Sequence, residues 1–145
     1  MASFGGQALF SGYCVPWMVS APRVLVLDDD AAVRETLQRA LGRYGYRTAG
    51  AATLDEAAAV LNEGDIQALV LDVRLEGAAS GLDLLRTVRA GSRGRIPILV
   101  VTGGVLTEAE EATITRYGAY LFYKIEGYES ILKFLDTLTG RDHGH

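Results

Sequence analysis

The sequence predicts an α/β protein, a doubly wound parallel sheet of five strands with helices on both faces. Two observations lead to this fold class. The apolar tetrads at 24–27 and 68–71 are typical of strands buried on both faces, as in parallel sheets. Segments with helical spacing of apolar residues alternate with such strands, and this alternation favours a parallel sheet covered on both sides.

The first two strand–helix units are marked by their end signals. After the strand at 24–27, Asp30 is a suitable cap for a helix with an apolar stripe, which a glycine ends. A short strand is predicted at 46–50. Thr53 and Glu56 then stand at the spacing of a capping box, which predicts the start of a second helix.

The third and fourth units follow the same logic. A strand ends at Leu71, and a loop over 74–80 leads to Ser80, whose surroundings are typical of a helix N-terminus. A strand at 96–101 tolerates its proline only because that residue lies near the strand's start. Thr107 is predicted to cap a fourth helix, whose apolar face is weak.

The last unit and the termini complete the expected domain organisation. A fifth strand is predicted at 119–123, followed by a helix with an apolar stripe. We expect one domain over 22–140, with no linker or second domain. The uncharged segment 1–21 is expected to be an N-terminal extension, peripheral or non-native, and 141–145 a polar tail.

Composition excludes several classes of function. The net charge of -4 and the absence of a block rich in Lys and Arg argue against binding of nucleic acid. No stretch reaches the roughly 18 apolar residues of a membrane span. A lone cysteine, Cys14, suits a reducing compartment, so we expect a cytoplasmic protein. Both histidines, His143 and His145, lie in the tail, which leaves no histidine-based nucleophile or zinc site in the core.

Reactive or ligating side chains stand at four of the five predicted strand ends: Asp28 and Asp29, Asp72, Thr102, and Lys124. Each alone is most simply a turn former, a cap or a solvated charge. Ligands of open α/β sheets bind beyond the carboxyl ends of the strands, where these side chains converge. Their combination at one edge therefore predicts a functional site.

The residue types in this set are suited to phosphoryl chemistry. The carboxylates of Asp28, Asp29 and Asp72 offer oxygen ligands to Mg²⁺. A carboxylate can also act as a nucleophile and form an aspartyl phosphate. The Lys124 ammonium and the Thr102 hydroxyl could then bind the oxygens of the transferring group, which carry its charge.

At this point the chain resembles the response-regulator receiver domains of two-component signalling, over residues 22–140. The resemblance depends on the acidic pair, the acceptor, the threonine followed by a small residue, and the lysine, in the order and spacing of that family: Asp28, Asp29, Asp72, Thr102, Gly103 and Lys124. It implies a flavodoxin-like (βα)5 fold with strand order 2-1-3-4-5.

The resemblance also implies a mechanism and partners. A histidine kinase or phosphotransfer protein would donate a phosphoryl group to Asp72. Mg²⁺ would be held by Asp29, Asp72 and the backbone carbonyl of Arg74, with Asp28 acting mainly through water. Whether such a phosphoacceptor counts as an enzyme stays open, because its phosphotransfer and dephosphorylation are self-catalysed.

Output is expected through protein contacts. No effector domain follows Gly140 in this sequence, so a downstream partner would act in trans. The expected partner or homodimer surface is the face of the fourth helix, fifth strand and fifth helix. Its aromatic residues Tyr120, Phe122 and Tyr123 fit that role, although at least one of them is expected to fill the core.

Three positions depart from the family pattern. Ile125 replaces the usual proline after the lysine, and we predict a trans peptide bond there, because a cis bond before a non-proline residue costs about 2.5–4 kcal/mol. Leu121 replaces a switch aromatic, and Glu76, which we expect to be solvated, replaces a loop proline. Arg74 either shields an acyl phosphate from water or faces solvent, with equal weight.

Two alternative functions remain at this stage. One is a degenerate receiver that is never phosphorylated and works as a scaffold, which the Leu121 and Ile125 departures favour. The other is a haloacid-dehalogenase-like phosphatase, suggested by Asp28 and Asp30. It is the weaker alternative, because Ala32 stands where that family has threonine and Asp72 would have no role.

Overall fold

One central sheet organises the molecule. A computed structural model describes residues 9–10, 13–14, 21–77, 79–91 and 94–140. The strands of this sheet are β1 (Arg23–Leu27), β2 (Arg47–Ala51), β3 (Ile66–Asp72), β4 (Ile98–Thr102) and β5 (Tyr120–Tyr123). All neighbours pair in parallel, in the order β2-β1-β3-β4-β5. The predicted fold class and strand order are confirmed.

A helix follows each of these strands. The helices are α1 (Ala31–Arg43), α2 (Leu54–Asn62), α3 (Gly81–Ala90), α4 (Glu108–Arg116) and α5 (Glu129–Thr139). The predicted caps Asp30, Thr53, Ser80 and Thr107 each accept a hydrogen bond from a backbone N–H of the first turn.

One detail of the capping pattern is wrong. Glu56 does not close a capping box with Thr53, because its carboxylate accepts the N–H of Ala52 instead, at 2.8 Å. In α4 the reciprocal box is complete, since Thr107 and Glu110 accept each other's backbone N–H.

The sheet separates two apolar layers, and the alternation along β1 shows how. Leu25 and Leu27 point to the layer closed by α2, α3 and α4, whereas Val24 and Val26 point to the layer closed by α1 and α5. These four side chains are all at most 1% exposed, which is why an unbroken apolar run marks this strand. The weak apolar face of α4 is confirmed, because Ile114 is its one buried residue.

Several boundaries differ from the prediction by a residue or two. β3 extends through Asp72, and β4 begins after Pro97. Lys124 lies in a 3₁₀ turn, Lys124–Glu126, that follows β5 directly. No peptide bond of the described residues is cis, so the Lys124–Ile125 bond is trans, as predicted.

The N-terminal segment contains one element that was not predicted. Leu9–Phe10 pairs antiparallel with Tyr13–Cys14 in a two-stranded hairpin outside the main sheet. The rest of the predicted extension and the tail 141–145 lie outside the described residues, and the proposed domain limits stay a prediction. Within the described part of the chain, none of the helices has the length and apolar character needed to cross a bilayer.

Candidate phosphoacceptor site

Three polar side chains are buried where the central strands end. Asp28 follows β1, while Asp72 and Thr102 are the last residues of β3 and β4. They are 5%, 7% and 1% exposed, the buried polar residues in the described part of the chain. Parallel pairing brings the ends of the three strands to one edge of the sheet, as the sequence predicted.

Lys124 connects two of these carboxylates. Its Nζ donates to Oδ2 of Asp28 and to Oδ2 of Asp72, at 3.1 Å in each case. Burial acts against the charge of this lysine, but the hydrogen bonds and charges of Asp72 and Asp28 outweigh it and raise the Lys124 pKa. The side chain is therefore a fixed cation between the two acids.

The acidic residues crowd together beyond what one lysine can balance. Carboxylate oxygens of Asp28, Asp29 and Asp72 lie within 4.8 Å of one another. Burial, together with the charge of Asp28, raises the pKa of Asp72, although Lys124 acts in the opposite direction. A divalent cation would relieve this repulsion, and carboxylate oxygens are the donors that Mg²⁺ prefers. The residues present thus fit that ion.

The backbone around Asp72 is held tightly by a close helix start. The N–H of Arg74 donates to Asp72 Oδ1 at 3.4 Å, and the N–H of Gly81 donates to the Val73 carbonyl at 2.9 Å. A Cβ atom on Gly81 would lie 1.9 Å from the carbonyl oxygen of Asp72. Only glycine therefore lets the first residue of α3 sit against this backbone.

Thr102 directs its hydroxyl towards the loop that follows it. Its Oγ1 accepts the N–H of Gly104 at 3.3 Å. A Cβ on Gly103 would meet Lys124 Cδ at 3.4 Å, whereas one on Gly104 would meet nothing within 4 Å. The open space beside the backbone is therefore at Gly104, and Gly103 packs along the lysine stem.

The Arg74 side chain is exposed and is held in an ion pair that was not predicted, while its shielding of an acyl phosphate stays a prediction. Its guanidinium forms an ion pair with both carboxylate oxygens of Glu110 in α4, and its Nη2 also donates to the Val105 carbonyl at 3.0 Å. The side chain is half exposed, yet it is engaged rather than solvated. Sequence reasoning missed Glu110 as its partner, because the contact spans 36 positions.

Two further residues beside the site were not predicted. Arg34 donates to the main-chain carbonyl of Asp28 at 2.8 Å, which ties α1 to the loop after β1. Tyr128 lines a void of about 10 Å³ together with Asp28, Asp72 and Lys124, and burial raises the pKa of its phenol. The one available signal was helical spacing, since each residue lies four positions after a predicted cap or site residue.

The departures from the family pattern have clear structural outcomes. Leu121 packs into the apolar layer beside α4, and Ile125 is 94% exposed. Glu76 is exposed, as expected. Phe122 is the aromatic that fills the core, with its ring 5.4 Å from that of Phe134.

The comparison with known families identifies the family of this chain. A family model described as the response regulator receiver domain matches residues 24–126. The chain belongs to this family. Membership decides against the phosphatase alternative, and it agrees with Asp30 being a helix cap, whose Oδ1 accepts the Val33 N–H at 3.2 Å.

The curated proteins to which this chain is similar include bacterial regulators. A transcriptional regulatory protein of Pseudomonas aeruginosa, AruR, is 40% identical over 91 residues, which are 59% of this chain and 36% of that protein. The matched part of this chain thus spans about a third of that relative's length.

Solved structures extend the likeness over most of the chain. A response regulator receiver protein from Pseudomonas putida is 35% identical with a TM-score of 0.72, covering 81% of this chain and 98% of that one. A response regulator from Burkholderia pseudomallei, crystallised with a phosphorylated aspartic acid, a calcium ion and citrate, is 31% identical with a TM-score of 0.68. It covers 81% of this chain and 66% of that one.

Proposed function

We propose that this receiver accepts a phosphoryl group on Asp72 from a histidine kinase or a phosphotransfer protein, and that it signals through protein contacts. One observation carries the proposal. Lys124 Nζ bridges Asp28 and Asp72 at 3.1 Å within a cluster of three carboxylates at the carboxyl edge of the sheet. The cluster joins a nucleophile to a cation that can neutralise a transferred phosphoryl group.

The transfer step forms one bond and breaks one bond. A carboxylate oxygen of Asp72 attacks phosphorus, the new O–P bond forms, and the N–P bond to the donor histidine breaks. The electron pair of that bond stays on the histidine nitrogen, which then takes up a proton. The Lys124 ammonium, which binds the carboxylate before the transfer, then binds a phosphoryl oxygen. The Thr102 hydroxyl donates a hydrogen bond to another phosphoryl oxygen.

Mg²⁺ would be held by Asp29, Asp72 and the backbone carbonyl of Arg74, with Asp28 acting mainly through water. When bound, the ion would neutralise charge on the acceptor and on the incoming phosphoryl oxygens. Two observations support this assignment: the spacing of the carboxylates, and the burial of Asp72, which together with the nearby charge of Asp28 raises the pKa of Asp72. The Burkholderia relative, which contains both a phosphorylated aspartate and a divalent cation, gives further support.

The surface of α4, β5 and α5 is the proposed contact for a downstream partner or a second copy. Tyr120 and Tyr123 of β5 are 40% and 39% exposed, which leaves aromatic area available for contact. Tyr120 also packs edge-on against Phe134 of α5, with ring centroids 4.7 Å apart. A histidine-kinase partner would place the domain in the cytoplasm.

An unphosphorylated scaffold is the second candidate. It is favoured by Leu121, which occupies the switch position with a partly buried aliphatic side chain, and by the exposed Ile125 after the lysine. The intact cluster of acids around Lys124 is the reason to rank it second.

Incubation with acetyl phosphate and Mg²⁺, followed by intact mass measurement, tests the proposal. We expect a hydroxylamine-labile phosphoryl adduct that Asp72→Asn abolishes. Asp83→Asn is the matched control, because Asp83 is an exposed residue of α3 paired only with Arg86 among its described contacts. No adduct, together with no spectral change on adding Mg²⁺ and beryllofluoride, would favour the scaffold.

A further inference from the structure

An ion pair connects the acceptor loop to α4, and the proposed chemistry does not use it. Arg74 lies two residues after Asp72, and its backbone N–H donates to the Asp72 carboxylate. Its guanidinium reaches across to Glu110 in the first turn of α4, where Nη2 donates to Oε1 at 3.0 Å. The same Nη2 donates to the carbonyl of Val105, in the loop that leads from β4 to α4. The two loops beside the acceptor are therefore joined through one side chain.

Glu110 is the fixed member of the pair. Its side chain is 17% exposed, compared with 54% for Arg74. Glu110 Oε1 also accepts the N–H of Thr107 at 2.8 Å, and the Thr107 hydroxyl oxygen accepts the N–H of Glu110 in return. These two bonds with Thr107 hold Glu110 at the start of α4. Arg74 is thus the member that can leave.

Asp72 is the other anion close to Arg74, since its carboxylate accepts the Arg74 backbone N–H at 3.4 Å. A phosphoryl group on Asp72 would bring the local charge to about −1.5 to −2 and add three acceptor oxygens. Lys124 already divides its bonds between Asp28 and Asp72, which leaves Arg74 as the next cation on the acceptor loop.

We propose that Glu110 is a positioning residue that holds Arg74 away from Asp72 and thereby shortens the lifetime of the aspartyl phosphate. This inference rests on the proposed function. In hydrolysis, a water oxygen bonds to phosphorus while the bond between phosphorus and the Asp72 oxygen breaks, which releases phosphate and restores the carboxylate. A guanidinium bound to the phosphoryl oxygens covers the approach of that water. While Arg74 is paired with Glu110, the approach stays open.

The test is a double-mutant cycle on the half-life of the adduct formed with acetyl phosphate and Mg²⁺. The variants are Glu110→Gln, Arg74→Met and the two together. Glutamine keeps an oxygen that accepts the Thr107 N–H, so the helix cap survives while the charge is lost. Methionine keeps the backbone carbonyl of Arg74 and most of its stem. We expect Glu110→Gln alone to lengthen the half-life about threefold, as the release of an exposed ion pair allows.

The dependence on Arg74 separates positioning from a merely structural effect. In the Arg74→Met background, Glu110→Gln should leave the half-life unchanged. Glu111→Gln is the matched control, because Glu111 is an exposed residue of the same turn and is expected to change nothing. Thermal unfolding of each variant checks that α4 remains folded.

Each outcome bears on one of the two proposals. A wild-type protein that takes up phosphoryl groups, but whose half-life is the same in Glu110→Gln, overturns the positioning role and leaves the proposed function intact. An equal lengthening with and without Arg74 also overturns it. A wild-type protein that takes up none overturns both.

Discussion

Charged side chains are paired at one edge of the central sheet, whereas acidic side chains are in excess at the other. At the amino edge, where the strands begin, Arg23 pairs with Glu63 and Asp65 at 2.9 Å, and Arg47 pairs with Asp65 at 3.5 Å. Two cations thus meet two anions. At the carboxyl edge, three carboxylates lie together and Lys124 pairs with two of them, Asp28 and Asp72, while Arg34 binds the Asp28 backbone instead.

This difference separates stabilisation from function within one fold. At the amino edge, each of these charged side chains has a partner of opposite charge, and the ion pairs stabilise the strand starts. Unbalanced acids at the carboxyl edge cost folding free energy, and they are the groups that the proposed cation and phosphoryl chemistry requires. The difference predicts that similar substitutions will have effects of opposite sign at the two edges.

Arg89 gives the largest expected effect, at the amino edge. Its guanidinium donates to four backbone carbonyls near the starts of β4 and β5, those of Gly94, Ile96, Tyr117 and Gly118, at 2.6–3.3 Å. Arg89→Met would leave these carbonyls without their donor and should lower the free energy of unfolding by about 3 kcal/mol.

Urea unfolding measures this loss. Arg86→Met is the matched control in the same helix, because the exposed Arg86 contacts only Asp83 among its described ion pairs, and it should change stability by about 0.5 kcal/mol or less. Equal losses for the two variants would show that the amino edge is not held by Arg89.

Mg²⁺ gives the next largest effect, at the carboxyl edge. An ion that binds only the folded protein stabilises it by about 2.7 kcal/mol at a hundredfold excess over its Kd. We expect a rise in Tm on adding Mg²⁺ to the wild type, and a much smaller rise for Asp29→Asn. Asp65→Asn, at the other edge, should keep the full response. A response that survives in Asp29→Asn would mean that the acid cluster does not hold the ion.

The same contrast explains how much of the fold and of the site could be predicted from the sequence alone. Asp28, Asp72 and Thr102 could be assigned because they come directly after apolar strands, and parallel register then places them together. Backbone position is set by the hydrophobic pattern, which is visible in the sequence. The hairpin at Leu9–Phe10 was missed because two-residue strands are too short to show any periodicity.

The contacts of long side chains could not be predicted in this way. The partner of Arg74 depends on how two loops fold, and Glu110 stands 36 positions away with no pattern that connects them. In the sequence, Arg89 looks like an ordinary charged residue at a helix end. In the structure, it binds backbone carbonyls of two separate connections. Local patterns therefore give the proposed acceptor and its lysine, whereas the long-range partners of Arg74 and Arg89 need the tertiary structure.

Asp72→Asn should have a smaller effect, of the opposite sign to Arg89→Met. Burial and the charge of Asp28 disfavour the ionised carboxylate of Asp72, and a neutral amide of the same shape removes that penalty while Lys124 keeps its bond to Asp28. In Mg²⁺-free buffer at pH 7, we expect the variant to be more stable by about 1 kcal/mol in urea unfolding. A loss of stability would show that Lys124 already balances the site.

The smallest effect comes from Asp65→Asn, and its pH dependence distinguishes the two edges. The hydrogen bond from Arg23 lowers the pKa of Asp65, so the carboxylate stabilises the fold. Since this pair is partly exposed to solvent, its loss should cost about 0.5 kcal/mol. That contribution is fully present above the unfolded-state pKa near 3.8 and disappears only as pH falls below it towards the folded-state value.

Asp72 should respond over a different pH range. The folded-state pKa of Asp72 is raised, so the charge of this residue lowers the folding stability at pH 7. This loss of stability becomes smaller as pH falls through the raised pKa towards the unfolded-state value of 3.8. Between pH 7 and about 4.5, the gain from Asp72→Asn should therefore decrease while the loss from Asp65→Asn stays constant. Urea titrations of both variants and the wild type at the two pH values measure this. A constant gain for Asp72→Asn would contradict the raised pKa of Asp72. In that case neither edge of the sheet would carry a carboxylate whose charge opposes folding, and the proposed difference between the two edges would be lost.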